Sequence, residues 1–294
     1  MTPEVHLINV FPADRNGGNP APIVAHADGM TLADMQAVAH AYGHECGFVC
    51  SPPANSDYDF AFRFWVPNHE MEMCGHATVG AVWLLDKLGL LPKDQLSIWT
   101  LSGRVEARVS RDEAHRAHVE ITQSQGLVKT LLAPDIEAEI LSVLGISSNE
   151  LAPLPIQNAS TSRVKTLIPL RDVAVLDSLK PDFRRIEPLC ERIGSTGLYP
   201  YAASDPDARQ FDARQFPRSS GYPEDAATGI AAAALAFGLL ELDLVSADDR
   251  TVRIRQGRAM GRPSEISLRF RRNAEGQVQG CWLGGNVGFV EEKI

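Results

Sequence analysis

The 294-residue chain reads as an α+β protein of two similar halves, each a curled, mostly antiparallel sheet around one apolar helix. Three observations predict this. Two segments, from about His76 to Leu88 and from Ile230 to Leu240, are apolar on nearly every helical face, so other structure must enclose them. Each follows a polar turn and an Ala-Thr step, in Cys74-Gly75-His76-Ala77-Thr78 and in Glu224-Asp225-Ala226-Ala227-Thr228, and Thr78 and Thr228 lie 150 residues apart. Short strand-like runs bounded by Gly, Pro, Asn and Asp fill much of the remainder.

Along the first half, residues 5–11 alternate weakly and predict a strand. The turn Arg15-Asn16-Gly17-Gly18-Asn19-Pro20 leads to a second strand from Ala21 to Ala25. Thr31 with Asp34 three residues on is a helix start. Leu32, Met35, Ala39 and Tyr42 then share a face, and Gly43 can end the helix. Tyr58, Phe60, Phe62 and Phe64 share one parity, as in a strand with an aromatic inner face. Further strands are expected near 96–100, 104–110 and 117–122, to enclose the first apolar helix.

The Pro- and Leu-rich stretch 126–155 reads as the passage to a second unit, with one helix from Pro134 to Leu144. The halves are therefore placed at 1–125 and 126–279. A strand at 165–170, helices near 173–178 and 182–194, and a strand led by Thr196-Gly197-Leu198-Tyr199 follow. DARQF occurs twice, at 207–211 and 212–216, and reads as a local duplication in a loop and strand edge without chemical meaning.

Composition narrows the function. With 28 Lys+Arg against 37 Asp+Glu the chain carries a formal charge of −9, which gives no electrostatic footprint for nucleic acid or an anionic membrane. The five cysteines are odd in number and irregular in spacing, which points to free thiols in a reducing compartment. No signal peptide or membrane span is evident, and a cytoplasmic location is expected. Cys46-x-x-x-Cys50 has no second pair at zinc spacing, so no metal is expected.

The chemistry concentrates at the two helix starts. Helix N-termini present backbone N–H groups and partial positive charge, and so receive a carboxylate without a basic side chain. Gly75 and Gly229 let a ligand approach the backbone beside Cys74, Thr78 and Thr228. His76, Glu224 and Asp225 are the charged or polar neighbours. Glu45, just past a helix end and before an apolar strand, is placed to be desolvated and to carry a proton both ways. Taken singly, each has a plainer role: Glu45 a solvated loop acid, His76 a cap, Asp225 a charge favouring the helix dipole, Cys74 an inert thiol.

Taken together, the segments resemble the PhzF-like isomerase family. The likeness rests on Val10-Phe11, Gly18-Asn19-Pro20-Ala21, Glu45 with Phe48-Val49, Arg63-Phe64 with Pro67 and Glu70, and Cys74-Gly75-His76-Ala77-Thr78. It continues through Ser102-Gly103, Thr196-Gly197-Leu198-Tyr199, Arg214 with Phe216-Pro217, Glu224-Asp225 with Ala227-Thr228-Gly229, Gln256-Gly257, Gly261-Arg262-Pro263-Ser264 and Gly284-Gly285.

The resemblance implies a diaminopimelate-epimerase-like fold, with a C-terminal strand from about 280–294 returning to the first half. It implies an isomerase that needs no cofactor, commonly a homodimer, moving a proton between carbons of a small cyclic carboxylate. Glu45 corresponds to the catalytic acid/base. His76 and Asp225 correspond to residues that hold substrate polar groups and assist the transfer. Gly75 and Gly229 correspond to backbone contacts with the substrate carboxylate, and Cys74, Thr228, Gly18 and Asn19 stand beside them as substrate-binding candidates. Glu45, His76 and Asp225 are expected to converge on one cleft, with Glu45 largely buried. His44, Ala226 and Ile230 replace the family's common Ser, Pro and Ser, which points away from the phenazine precursor as substrate.

Two other readings stay open. One is an amino-acid epimerase or racemase of the same fold using Cys74, although the matching stretch Glu224-Asp225-Ala226 lacks a second cysteine. The other is a non-catalytic small-molecule-binding protein on this scaffold.

Overall fold

In the computed structural model, which describes residues 3–290, the chain forms two units. One consists of the segment up to Pro12, Gly18–Thr122 and the segment from Gly284; the other consists of Ala13–Gly17 and Gln123–Leu283.

In the first unit β1 (His6–Val10) and β2 (Asn19–Val24) pair antiparallel. Thr31 and Asp34 form the predicted capping box at the start of α1 (Leu32–Tyr42), and Gly43 ends it with φ 65°, donating its N–H to the Ala39 carbonyl. This helix carries the chain across to β3 (Cys46–Cys50), which lies parallel to β2. β4 (Phe60–Val66) is antiparallel to β3 and turns back as β5 (His69–Met71). α2 (Gly75–Lys87) then crosses to β6 (Gln95–Thr100), parallel to β4. β7 (Gly103–Arg111) and β8 (Ala117–Ser124) extend the sheet antiparallel. At its other side Val287–Phe289 pairs antiparallel with β1. The expected return of 280–294 runs on over residues 291–294, which lie outside the described residues.

Every residue from Gly75 to Leu85 is buried, as an all-apolar helix requires. α2 packs on β1, β2 and β3. It rides close to the sheet: a Cβ on Gly80 would sit 3.0 Å from Val10 Cγ2. α1 covers the opposite face, where Met35 and Ala39 meet Cys46, Phe48 and Trp65. β4 therefore lacks the expected one-sided alternation. Phe62 and Phe64 are buried on one parity, and Ala61 and Trp65 on the other.

The second unit repeats this order. β9 (Leu127–Thr130) and α3 (Pro134–Leu144) precede β10 (Gln157–Ser160), which pairs antiparallel with β9 and with β11 (Val164–Pro169). α4 (Val173–Ser178) and α5 (Phe183–Arg192) lead to β12 (Gly197–Asp205), parallel to β11. β13 (Gln210–Ala213) and the short β14 (Phe216–Pro217) lie antiparallel to β12. α6 (Gly229–Glu241) crosses to β15 (Val252–Gln256), parallel to β13. β16 (Ser264–Arg272) is antiparallel to β15, and β17 (Val278–Gly285) follows.

Both units thus follow one plan: an antiparallel pair, a helical crossover to a parallel strand, an antiparallel pair ending in a short strand, a central helix, and a second parallel crossover. α6 is enclosed by β9, β10, β11 and β16. A second core lies where α3, α4 and α5 cover the sheet, with Ile140, Leu144, Ile168, Leu189 and Leu198 packed together. The region 126–155 is thus more than a passage, because β9 is a sheet strand. β10 was missed because Gln157-Asn158-Ala159-Ser160 has no apolar alternation; ladders on both sides hold it.

The DARQF duplication is structural after all. Arg209 makes two hydrogen bonds of 2.6 Å to Asp248, and Arg214 makes two of 2.8 Å to Glu224. The first copy supplies a buried Arg that pins the loop before β15, and the second pins the loop before α6.

Candidate active site

In the first unit, Gly43 ends α1 and leaves Glu45 immediately before β3, where the pairing of Cys46 with Trp65 fixes the strand start. Cys74 is the N-cap of α2, in extended conformation. The two meet: Cys74 Sγ donates to Glu45 Oε2 at 3.0 Å. His76, in the first turn, places Nδ1 3.4 Å from Cys74 Sγ and 3.6 Å from Glu45 Oε2. The His76 side chain is 7% exposed, and its Nε2 has no hydrogen-bond partner among the described residues. The Glu45 side chain is 23% exposed, so most of it is buried and a part still reaches solvent. A carboxylate at the foot of a strand, beside one helix terminus, keeps one side open.

The amides of this terminus are uncapped. The N-cap Cys74 makes no side-chain cap hydrogen bond to the first turn of α2, whereas Thr31, Asp172 and Asp182 cap α1, α4 and α5. Thr78 turns inward, its N–H and its Oγ1 both donating to the Cys74 carbonyl, at 3.0 and 2.7 Å. A Cβ on Gly75 would meet no atom within 4 Å. Protein packing therefore does not require glycine there, and an uncapped helix start of this kind is suited to receive an anion.

The second unit holds Asp225 by a directional chain. Tyr199, fully buried, donates its hydroxyl to Gln256 Oε1 at 2.9 Å. That orients the Gln256 amide, whose Nε2 donates to the Asp225 carbonyl at 2.7 Å and to Thr228 Oγ1 at 3.1 Å. Having accepted, Thr228 Oγ1 donates to Asp225 Oδ2. Burial pushes the Tyr199 phenol well above its usual range, and the Asp225 charge adds to this, so the phenol remains a donor. Tyr199 and Gln256 stood in the family-like blocks but carried no role. The available signal was Tyr199 itself, because a buried tyrosine needs a hydroxyl partner.

Glu224 is not a free acid. It lies on Arg214, which also donates to the Leu176 and Leu179 carbonyls at 3.1 Å each. Arg63 grips Glu70 in the same two-pronged way, at 2.6 Å twice. Glu70 stands five residues before the first residue of α2, and Glu224 five before that of α6. The N-caps are Cys74 and Thr228, 154 residues apart, so the structural repeat is offset from the Ala-Thr alignment by four residues, one helical turn. Ala77-Thr78 lies inside α2, while Ala227-Thr228 precedes α6. The repeat partner of the Cys74 thiol is the Thr228 hydroxyl.

The remaining candidates have local roles. Gly18 has φ 89°, and a Cβ there would fall 2.2 Å from Asn9 Oδ1. Asn19 opens β2 opposite Val10. Gly229 is the first residue of α6, and a Cβ there would press Leu283 Cδ1 at 2.9 Å, so glycine is favoured there by packing. The other thiols are suppressed by burial, which pushes Cys46 and Cys281 up to about 12 and Cys50 and Cys190 up to about 11.

Residues 8–292 match the family described as phenazine biosynthesis-like protein. The uncharacterized isomerase YddE of Escherichia coli strain K12 is 31% identical, over 95% of this chain and 94% of its own. The trans-2,3-dihydro-3-hydroxyanthranilate isomerase of Pseudomonas aeruginosa is 28% identical, over 97% and 96%. A PhzF-family phenazine biosynthesis protein of Bacillus anthracis superposes with a TM-score of 0.86 at 24% identity, over 98% and 96%. A hydroxyproline epimerase of Agrobacterium vitis superposes at 0.60 with 14% identity, over 97% and 90%. These likenesses establish the α+β, diaminopimelate-epimerase-like fold that the family resemblance implied. Among the described residues no helix is long and apolar enough to cross a membrane. With its sequence matched over nearly its whole length by isomerases and its fold shared with PhzF proteins, the chain belongs to the phenazine biosynthesis-like family and is an isomerase.

Proposed function

We propose that this isomerase moves a proton between two carbons of a small, cyclic, carboxylate-bearing substrate, with Glu45 as the general acid/base. The observation that carries the reading is the Glu45 carboxylate, mostly buried, held by the Cys74 thiol and set beside the uncapped amides of α2. Those amides receive the substrate carboxylate at Gly75 and His76. Glu45 takes a proton from one carbon, the electron pair shifts along the ring, and the same proton goes to a second carbon on the same face. The carboxylate is regenerated, so the cycle needs no cofactor. His76 and Asp225 hold substrate polar groups, and Gly229 and Thr228 offer a second helix start to the ligand. Gly18 and Asn19 line the turn that feeds β2. The P. aeruginosa relative suggests a dihydro-hydroxyanthranilate-like ring, altered where His44, Ala226 and Ile230 stand. The family kinship and the free thiols support a cytoplasmic homodimer.

Proton exchange in deuterated buffer, followed by NMR over a panel of cyclic amino and hydroxy acids, tests this. Deuterium entry that disappears in Glu45→Gln supports the reading. Exchange that survives Glu45→Gln but is lost in Cys74→Ala would move the chemistry to the thiol. That second reading, epimerisation through Cys74, is favoured by the thiol's place at the start of α2. It is opposed by Thr228, a poor acid, at the repeat position. Tight binding without exchange would mark a binding protein.

A further inference from the structure

We infer that Cys74, His76 and Glu45 also form a binding site for Zn²⁺ that closes the proposed acid/base to its substrate. Among the described residues they are the only three metal-ligating side chains whose ligand atoms gather, all lying within 4.8 Å of one another. They offer sulfur, imidazole nitrogen and carboxylate oxygen, the three donor types that zinc takes in proteins. Cys46 and Cys50 lie outside this group, so the cysteine spacing that argued against a metal does not bear on it.

The triangle has the right size. Zinc bonds of about 2.3 Å to sulfur and about 2.0–2.2 Å to nitrogen and oxygen place tetrahedral ligands roughly 3.4–3.6 Å apart. The observed edges are 3.4 Å from Cys74 Sγ to His76 Nδ1, 3.6 Å from His76 Nδ1 to Glu45 Oε2, and 3.0 Å from Cys74 Sγ to Glu45 Oε2. Only the last, now a hydrogen bond, has to open, by roughly half an ångström. His76 Nε2 has no hydrogen-bond partner among the described residues, so no protein group opposes a proton on that nitrogen, and the tautomer that carries it there presents the Nδ1 lone pair to the ion.

Binding breaks the Cys74 S–H bond, forms a Zn–S bond and sends one proton to the buffer. Glu45 and neutral His76 donate lone pairs, and nothing is oxidised or reduced. Thiolate and carboxylate together balance the ion's charge. With three protein ligands, the fourth tetrahedral position falls to a non-protein ligand such as water. A metal-bound Glu45 is a much weaker base, because the ion draws on the carboxylate's charge, and the ion fixes Oε2 away from a carbon-bound proton, so zinc suppresses catalysis; only this consequence rests on the function proposed above.

The test uses the full chain, treated with chelator and dialysed. Zn²⁺ is titrated against a chromophoric chelator, and Co²⁺ serves as a spectroscopic stand-in. The expected result is one equivalent of Zn²⁺ bound and a thiolate-to-cobalt charge-transfer band in the near ultraviolet. Cys74→Ser should abolish that band. Cys74→Ser and His76→Gln should each weaken Zn²⁺ binding by more than the ~10–100-fold that loss of a merely supporting residue causes. Cys50→Ser should leave both signals unchanged. Absence of the band in the unaltered protein overturns the site without recourse to any variant, as does its persistence in folded Cys74→Ser. The readout needs no substrate, so it stands or falls apart from the exchange experiment. If exchange is found, equimolar Zn²⁺ should suppress it and chelator restore it.

Discussion

Cys74 Sγ donates to Glu45 Oε2 at 3.0 Å, joining the N-cap of the central helix to the residue just before β3. The bond fixes the carboxylate oxygen at the helix terminus, where the proposed proton transfer takes place. Glu45→Gln should therefore lower turnover by about 10²–10⁴-fold, the span typical of a lost general acid/base. Cys74→Ala, which removes only the donor, should cost less. Steady-state deuterium incorporation measures both, and equal losses would mean the thiol shares the proton transfer.

The chain from Tyr199 through Gln256 and Thr228 to Asp225 should behave as a unit. Gln256→Ala leaves a buried phenol without its partner, and the expected destabilisation is about 1–3 kcal/mol. Tyr199→Phe combined with Gln256→Ala should be less damaging than the sum of the two, because the phenol left unpaired is then absent. Urea unfolding of the two single variants and the double variant measures this, and strict additivity would show the chain is not coupled.

Arg214 and Glu224 are 10% and 9% exposed, and the pair closes the loop before α6. Arg214→Ala strands a buried carboxylate and should destabilise by about 3–5 kcal/mol. Arg63→Ala should cost less, because Arg63 and Glu70 are 26% and 17% exposed and water can replace the lost partner. Chemical denaturation of both variants ranks them.

Gly75 and Gly229 occupy matching helix positions but should respond differently to alanine. At Gly75 the new methyl meets open space, so stability should hold or rise by about 0.4–1 kcal/mol. If the amide end binds the substrate carboxylate, the same methyl should raise KM. At Gly229 the methyl presses Leu283, and stability should fall. Thermal melts with Michaelis constants separate the two effects.

Asp248 accepts two hydrogen bonds from Arg209, which hold its carboxyl down at about 2 against an ordinary 3.8. A depressed acid contributes stability that is fully present above its unfolded value and fades as pH falls through its folded value. Asp248→Asn should therefore be less stable than the parent at pH 5, and the gap should narrow from about pH 4 to about pH 2. Denaturation curves across that range test it; a gap independent of pH would assign the effect to packing.

Local physics wrote much of this protein plainly into its sequence. The Thr31–Asp34 capping box, the Gly43 stop, the helix from Pro134 to Leu144 and the two all-apolar helices depend on residues a few positions apart, which periodicity and capping rules read directly. The two-unit plan was legible because a helix apolar on every face cannot exist without an enclosing sheet. What the chain alone could not decide was register and partnership. Shared letters aligned the repeat on Ala-Thr, but the positions of the first helical amides, set by the Arg63–Glu70 and Arg214–Glu224 clamps, shift it by one turn. Glu45 meets a thiol 29 residues away, and Gln256 joins a tyrosine 57 residues before it to a threonine 28 residues before it. Such contacts follow from how strands and crossovers stack, so only tertiary structure could make a solvated-looking acid, a helix cap and an inert-looking cysteine into one site.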